Sequence, residues 1–206
     1  MMTRLDRLLE TVGPFYERND PGHDLAHAVR VAKLARVIAA QEGGELTIIL
    51  PAALCHDLRR WELASHSGET TDLVTGILLR VGYELAEVRS IVRAVQRHSF
   101  SAPQAPETLE EKTLFDADKL EGLGAIGIGR CFAVSGALSQ AIVGEVSSTR
   151  TAQYWLISQL SKNYDRLYTE TAKAMGRARH LFLLSFIEQL QAELGVVAIP
   201  MVGARA

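Results

Sequence analysis

Apolar residues recur every three or four positions along most of the chain, which is the spacing that predicts amphipathic helices. In the segment 3–18 these positions are Leu5, Leu8, Leu9, Val12 and Phe15. A second periodic segment follows Asp24 and stops at Gly43 and Gly44, because glycine disfavours continuation of a helix. The turn-forming residues 19–22 separate the two segments. The pattern therefore predicts two helices before residue 45.

The segment 47–58 is apolar at almost every position, so we expect a helix at the buried centre of the fold. Pro51 is expected in its first turn, where a missing N–H costs little. Helical spacing continues over 70–81, 84–97, 107–121, 154–168 and 171–194, and the segment 123–133 is rich in small residues. The chain shows no strand pattern and no internal repeat. The sequence predicts an all-α protein, a single-domain helical bundle over residues 1–206.

Composition agrees with a globular domain. Of the 206 residues, 48% are hydrophobic and 22% are charged, which allows a substantial core and argues against disorder. The net charge of −2 carries no electrostatic signature of nucleic-acid binding. Cys55 and Cys131 are too few for a disulfide framework, and we expect both to be reduced core residues. Residues 1–6 lack a signal-peptide core, and no apolar run approaches the roughly 20 residues that span a bilayer. We therefore expect a cytoplasmic protein.

The candidate chemistry lies mainly between residues 23 and 57. His27 precedes the adjacent pair His56 and Asp57 by about the length of a helical hairpin. Imidazole and carboxylate together suit divalent cations such as manganese, zinc or ferrous iron. Asp57 ends an otherwise apolar helix, where a buried carboxylate is costly unless it is paired or bound to metal. Asp118 is the best candidate for a further ligand from a distant helix, which would give two nitrogen and two oxygen ligands.

Four short stretches follow one another in a fixed order: His23-Asp24-x-x-His27-x-x-Arg30-Val31, Leu54-Cys55-His56-Asp57-Leu58, His98-Ser99-Phe100-Ser101 and Asp116-Ala117-Asp118-Lys119-Leu120. This set resembles the HD superfamily of metal-dependent phosphohydrolases, whose pattern is His … His-Asp … Asp on a helical domain. The continuation through Gly124 to Phe132 is similar to a bacterial subgroup related to nucleoside triphosphate pyrophosphohydrolases. The resemblance places the metal-site core at about 20–135, and helical spacing places C-terminal helices at about 151–195.

The resemblance implies one divalent metal ion held by His27, His56, Asp57 and Asp118. Manganese is favoured, although manganese, magnesium, iron, zinc and nickel are not distinguished by the sequence. The family pattern places the ligand at the second aspartate of the Asp116–Asp118 stretch. The implied substrate is a nucleotide, with a (deoxy)nucleoside triphosphate cleaved to monophosphate and pyrophosphate.

Several cations are candidate phosphate contacts, because arginine forks and lysine ammonium groups suit phosphate oxygens. We expect catalytic roles for Arg30, one turn after His27, and for Lys119. Arg59 and Arg60 are candidate substrate contacts, with a solvated loop as the equal alternative. Relatives often carry acidic residues at these two positions, so Glu62 becomes the nearest candidate for a general base.

Other polar residues near the predicted ligands have two interpretations. Asp24 could accept a hydrogen bond from a ligand imidazole or cap a helix N-terminus. His98 could line the pocket and contact substrate, or act as a cation at a helix C-terminus. His23 fits a loop position, and neither His66 nor His180 has a convincing partner in the sequence. The stretch 122–127 matches the dinucleotide fingerprint G-x-G-x-x-G, but no strand precedes it, so we interpret its small residues as a close helix contact.

The leading hypothesis is thus a metal-dependent phosphohydrolase acting on nucleotides. The alternatives among enzymes are a nucleoside monophosphate phosphatase and a cyclic-nucleotide phosphodiesterase. A non-catalytic metal- or nucleotide-binding regulatory protein is the alternative of another class, and a purely structural helical scaffold would bind no metal. The expected partner is a small-molecule nucleotide, without nucleic acid or membrane, and a homodimer is left open.

Overall fold

The computed structural model describes residues 2–60, 67–144 and 150–197. Its α-helices are α1 (Arg4–Val12), α2 (Leu25–Glu42), α3 (Leu46–Cys55), α4 (Gly68–Val81), α5 (Leu85–Arg97), α6 (Leu109–Glu121), α7 (Gly124–Ala137), α8 (Ala152–Ser158) and α9 (Glu170–Val197). Short 3₁₀ helices occur at Gly13–Tyr16, Leu160–Lys162 and Tyr164–Arg166. Within the described ranges, the β-type pairing is one bridge between Ala141 and Thr151. The all-α prediction is confirmed.

The helix α3 is the buried centre of the fold, as its composition predicts. Residues 48–55 are all buried, and the helix packs against α1, α2, α5 and α6. Pro51 is the sixth residue of α3, so its predicted place in the first turn is wrong. Cys55 and Cys131 are both free and buried, and burial raises the pKa of their thiols to about 12 and about 11. Both cysteines are therefore core residues in the reduced state, as expected.

The predicted end of the central helix at residue 58 is also wrong, because α3 ends at Cys55. Residues 56–60 form turns, and Arg59 has a left-handed backbone with φ of 51°, which does not continue a right-handed helix. The N–H of Arg59 donates to the Phe15 carbonyl at 3.3 Å. Asn19 Nδ2 donates to the Asp57 carbonyl at 2.8 Å. Contacts with the N-terminal part of the chain therefore shape this turn and the direction of Asp57.

The segment 154–168 is not the single helix that its spacing predicts. The helix α8 ends at Ser158 and two 3₁₀ helices follow it. Ser158 and Ser161 each donate a hydroxyl hydrogen bond of 2.6 Å to the carbonyl four residues earlier. Such bonds compete with the backbone pattern of a helix and weaken its continuation. The result is a tight, irregular connection between α8 and α9.

The start of α9 is held on α6 by Asp116, which is fully buried. Its carboxylate accepts hydrogen bonds from Tyr168 N at 2.8 Å, Thr169 N at 2.7 Å and Thr169 Oγ1 at 2.7 Å. Thr169 Oγ1 in turn accepts from Ala172 N at 3.2 Å. Asp116 is therefore a structural residue that anchors the C-terminal helix.

The small residues after α6 allow α6 and α7 to meet closely, as we expected. Gly124 has φ of +71°, a conformation that favours glycine. A Cβ atom added at Gly127 would overlap the carbonyl group of Gly122. None of the described helices is long and apolar enough to cross a membrane.

Candidate metal centre

Separate helices deliver the predicted ligands to one buried place. His27 lies on α2, His56 and Asp57 follow α3, and Asp118 lies on α6. The Nε2 atom of His27 is 3.2 Å from His56 Nε2, 3.5 Å from Asp118 Oδ1 and 3.6 Å from Asp57 Oδ2. His56 Nε2 is 3.3 Å from Asp57 Oδ2 and 4.0 Å from Asp118 Oδ1. The two imidazoles and two carboxylates thus converge on a common centre.

The orientation of the imidazoles suits a cation. His56 Nδ1 is 2.8 Å from the carbonyl of Ala53, so it carries the proton, and Nε2 presents a lone pair. His27 Nδ1 is 3.1 Å from Glu121 Oε2, which favours the same tautomer. Two lone pairs 3.2 Å apart repel each other unless a proton or a metal ion lies between them. The bond from Zn²⁺ to imidazole is about 2.0–2.1 Å long, so neighbouring ligand atoms lie roughly 3 Å apart. His27, His56 and Asp118 therefore lie close enough together to hold one divalent cation. Oδ2 of Asp57 lies 3.6 Å and 3.3 Å from the same two imidazole nitrogens.

Both carboxylates of the cluster are ionised. Burial by itself would raise the pKa of Asp57, but the neighbouring imidazoles of His56, His27 and His98 outweigh burial and hold it well below its usual range. Burial of Asp118 is likewise outweighed by Lys119 and the imidazoles, which hold the pKa of Asp118 far below its usual value. Metal ligands must be deprotonated, so these carboxylates are in the binding form at neutral pH.

His27 shows the preference of this centre for positive charge. Burial on its own would lower the pKa of His27, but its contacts with Asp57 and Glu121 outweigh that effect and raise it. Oδ1 of Asp57 is buried and, among the described residues, has no hydrogen-bond donor. The carboxylates around His27 therefore favour positive charge at this centre.

His98 directly follows α5 as its C-cap and adds a third imidazole to the cluster. Its Nδ1 is 2.6 Å from the Val95 carbonyl, and its Nε2 is 3.8 Å from Asp57 Oδ1. His56, Asp57 and His98 could form a second, overlapping group of ligands beside His27, His56 and Asp118. Burial lowers the pKa of His98 despite the contact with Asp57. The ring lines the cavity, as one of the two interpretations predicts, and its contact with substrate stays a prediction.

A cavity of about 610 Å³ opens on this cluster, and its lining contains both charged and apolar side chains. Asp57, His98 and Asp118 contribute to it at the cluster, together with three cations: Arg60, Lys119 and Arg130. The apolar side chains of the lining include Val134, Leu138, Trp155 and Leu160. Two amide side chains, Gln159 and Asn163, accompany this apolar lining. The cavity thus combines anionic, cationic and aromatic surfaces.

The predicted phosphate contacts fall into two groups. Lys119 lines the cavity, with Nζ 2.6 Å from Asp118 Oδ2 and 4.6 Å from the centre of the Phe100 ring. Arg60 also lines it, with Nε 3.5 Å from Asp57 Oδ1. Arg30 and Arg59 are not among the described residues that line the cavity.

Arg30 instead makes an ion pair with Glu121, so a direct contact of Arg30 with phosphate stays an untested prediction. Glu62 and His66 lie outside the described residues, and the assignment of Glu62 as general base stays a prediction as well.

The remaining sequence candidates have defined places. Oδ1 of Asp24 accepts a hydrogen bond from the backbone N–H of His27 at 2.7 Å, so Asp24 is the N-cap of α2. His23 lines the cavity, and its Nδ1 is 2.8 Å from Asp20 Oδ2. His180 stacks on Tyr164 with ring centres 4.9 Å apart, away from the cluster.

Two residues that the sequence did not single out complete the surroundings of His27. Glu121 is buried beside His27 and contacts Arg30 and Arg130. Arg130 Nε also donates to the Gly22 carbonyl at 2.6 Å. The spacing of Glu121, three residues after Asp118, is a signal that could have placed it on the same helix face. Arg130 lies in the stretch that carried the family resemblance, but no role was predicted for it, because the Gly22 carbonyl that it contacts is 108 residues away.

Comparison with known families and proteins gives matches over much of the chain. A family model described as the HD domain matches residues 24–123. YpgQ of Bacillus subtilis, a protein described as uncharacterised, is 32% identical over 177 residues, which cover 84% of this chain and 85% of YpgQ. Ribonuclease Y of a Sulfurovum species is 30% identical over 120 residues, which cover 56% of this chain and 22% of that enzyme.

Solved structures extend the likeness over nearly the whole chain. The crystal structure of YpgQ in complex with ADP has a TM-score of 0.76 and 29% identity, and the match covers 97% of this chain and 100% of that chain. An HD-superfamily hydrolase from Bacillus thuringiensis has a TM-score of 0.72 and 30% identity, with coverage of 94% and 99%. Together with the buried histidine and aspartate cluster, these matches show that the chain belongs to the HD superfamily of hydrolases.

Proposed function

We propose that this protein is a metal-dependent phosphohydrolase that cleaves (deoxy)nucleoside triphosphates to monophosphate and pyrophosphate. The observation that carries the proposal is the convergence of His27, His56, Asp57 and Asp118 beside a cavity that three cations help to line. A divalent cation, with manganese favoured, would lower the pKa of a bound water and neutralise charge on the phosphoryl group. The residues around it then have to hold the phosphates and the nucleoside.

The cations of the cavity are suited to the phosphate chain. Lys119 is only 9% exposed and lies against the ligand Asp118, so its ammonium group would meet a phosphoryl group held at the centre. Arg60 and Arg130 add guanidinium groups to the same cavity, and such groups bind phosphate oxygens in pairs. Fixed positive charges beside the reacting group stabilise the charge that develops in the transition state.

The apolar part of the cavity is suited to a nucleobase. Trp155 offers a flat aromatic surface, and aromatic side chains stack on bases of any sequence. Gln159 and Asn163 lie in the same lining, and amide groups can donate to and accept from the edge of a base. The ADP complex of YpgQ supports a nucleotide ligand for this chain by family likeness.

A panel of substrates tests the proposal. Nucleoside and deoxynucleoside triphosphates, monophosphates and cyclic monophosphates are incubated with Mn²⁺, and the released phosphate and pyrophosphate are measured separately. We expect pyrophosphate and monophosphate from triphosphates, and no turnover after chelation or in a His56→Ala control prepared in parallel. Phosphate from monophosphates alone would indicate a phosphatase, and opening of cyclic nucleotides a phosphodiesterase. Bound metal without any turnover would indicate a regulatory protein.

A further inference from the structure

We infer that Glu121 is a positioning residue of the metal centre, which orients His27 and offsets the charge of two arginines. The inference rests on the proposed metal centre but not on the identity of the substrate. Glu121 is the last residue of α6 and follows Asp118 by three positions, so one helix presents a ligand and its support on the same face. The residue is 2% exposed, which keeps its carboxylate away from bulk water.

The first contact of Glu121 is with the ring of His27. Oε2 lies 3.1 Å from Nδ1, the nitrogen that faces away from the cluster. The contact is bent from the ideal angle of a hydrogen bond, yet no other described residue offers Nδ1 a partner. A carboxylate on the far nitrogen of a metal-binding histidine fixes the ring and makes Nε2 a better donor. Asp24, the other candidate for this contact, is occupied as a helix cap.

The second role of Glu121 concerns charge. Its two oxygens contact Nε of Arg30 and Nη1 of Arg130, so two guanidinium groups meet at one carboxylate beside His27. Without that carboxylate, both would repel a divalent cation at a short distance through a weakly screening interior. Arg130 also donates to the Gly22 carbonyl at 2.6 Å, so it ties α7 to the segment before α2.

The alternative is that Glu121 serves only as an ion pair between helices, and α6 contains a matched control for that case. Glu111 is also 2% exposed and also pairs with two arginines, Arg93 at 2.7 Å and Arg97 at 3.3 Å. Its Oε2 atom accepts a hydrogen bond from the backbone N–H of Glu107 at 2.7 Å. Glu111 itself lies ten residues before Glu121 in the chain. The two glutamates thus share a helix, a degree of burial and a pairing with two arginines each, but Glu121 is the one that contacts His27.

The affinity for Mn²⁺ separates the two cases. The full chain, stripped of metal, is titrated with Mn²⁺ and followed by calorimetry and by the paramagnetic signal of free Mn²⁺. Glu121→Gln should weaken Mn²⁺ binding by about 10–100-fold, the usual loss when the support of a ligand histidine is removed. Glu111→Gln should lower the resistance to urea and leave the dissociation constant of Mn²⁺ unchanged.

A second variant keeps the inference testable if Glu121→Gln does not fold. Arg30 is 38% exposed in its side chain, so Arg30→Gln is tolerated, and it removes a positive charge while Glu121 stays in place. We expect its Mn²⁺ affinity to equal or exceed that of the unaltered protein.

A loss of Mn²⁺ affinity of tenfold or more in Arg30→Gln would show that the ion pair itself matters and would overturn the inference. Unchanged Mn²⁺ affinity in Glu121→Gln would also overturn it while leaving the proposed function intact. If the unaltered protein binds none of Mn²⁺, Mg²⁺, Fe²⁺, Zn²⁺ and Ni²⁺, both the inference about Glu121 and the proposed function are overturned.

Discussion

Lys119 is a residue at which the proposed metal binding and the proposed catalysis can be tested separately. Its ammonium group lies against the carboxylate of Asp118 and faces the rings of Phe100 and Phe115 at 4.6 and 5.1 Å. A protonated lysine has no lone pair to offer a metal ion, whereas the neighbouring aspartate has several. Adjacent positions in the sequence therefore have different expected roles.

We predict that Lys119→Ala retains Mn²⁺ but lowers kcat by about 10²-fold, because a positive charge beside the transferred group is lost. Asp118→Ala should lose metal and activity together. Metal content and steady-state kinetics of the two variants provide the measurement. Lys173→Ala is the matched control, since Lys173 is a surface lysine that pairs with Glu170.

Two other results would change this assignment. A higher KM with unchanged kcat in Lys119→Ala would mean that Lys119 binds substrate and transition state equally. Full activity would show that the phosphates are held elsewhere, and Arg60 would be the next residue to replace.

Helix α7 shows how closely two elements approach at the site. We predict that Gly127→Ala lowers the free energy of unfolding by about 1–3 kcal/mol, because the added methyl group overlaps the Gly122 carbonyl and the helices must move apart. Gly129, two residues further along α7, has no atom within 4 Å of an added Cβ. Gly129→Ala should therefore raise stability by about 0.4–1 kcal/mol. Urea unfolding of both variants gives the comparison, and equal effects would contradict the close packing.

The contact between α6 and the start of α9 gives a second prediction about stability. Asp116→Ala leaves the N–H groups of Tyr168 and Thr169 without their acceptor, and unpaired buried groups cost about 1–3 kcal/mol. We expect lower stability in urea and an unchanged dissociation constant for Mn²⁺. A loss of metal affinity comparable to that of Asp118→Ala would mean that Asp116, not only Asp118, serves the centre.

The helices themselves were predictable from apolar spacing, because it is a local pattern. The family resemblance implied a cluster of His27, His56, Asp57 and Asp118, and these residues, though far apart in the chain, lie close together in the fold. The positions at which α3 and α8 end were not predictable from this spacing. Arg59 and Asn19 bend the chain after α3 through contacts with distant segments, and serine hydroxyls weaken the helix after Ser158. Arg130 belongs to the stretch that carried the resemblance, but no role was predicted for it, because the Gly22 carbonyl that it contacts lies 108 residues away. Tertiary contacts override local propensity after α3, whereas the serine bonds after α8 are local.

The whole molecule should respond to the metal through its stability. A ligand that binds the folded state alone stabilises it by about 2.7 kcal/mol when its free concentration is about 100 times Kd. In a domain of this size, each kcal/mol raises Tm by about 2–4 °C. We predict that Mn²⁺ raises Tm and that chelation reverses the rise. His56→Ala should keep the helical circular dichroism spectrum and show no shift with Mn²⁺, and an equal shift in this variant would contradict the ligand assignment.

The wide separation of the ligands along the chain has a consequence for folding kinetics. His27, His56 and Asp118 come together only after α2, the turn behind α3 and α6 have docked. The unfolded chain therefore offers no preformed site, and a metal ion meets its full ligand set only near the end of folding. Interactions formed after the transition state slow unfolding and leave the folding rate almost unchanged. A metal ion held here would thus protect the protein mainly by lengthening the lifetime of its native state.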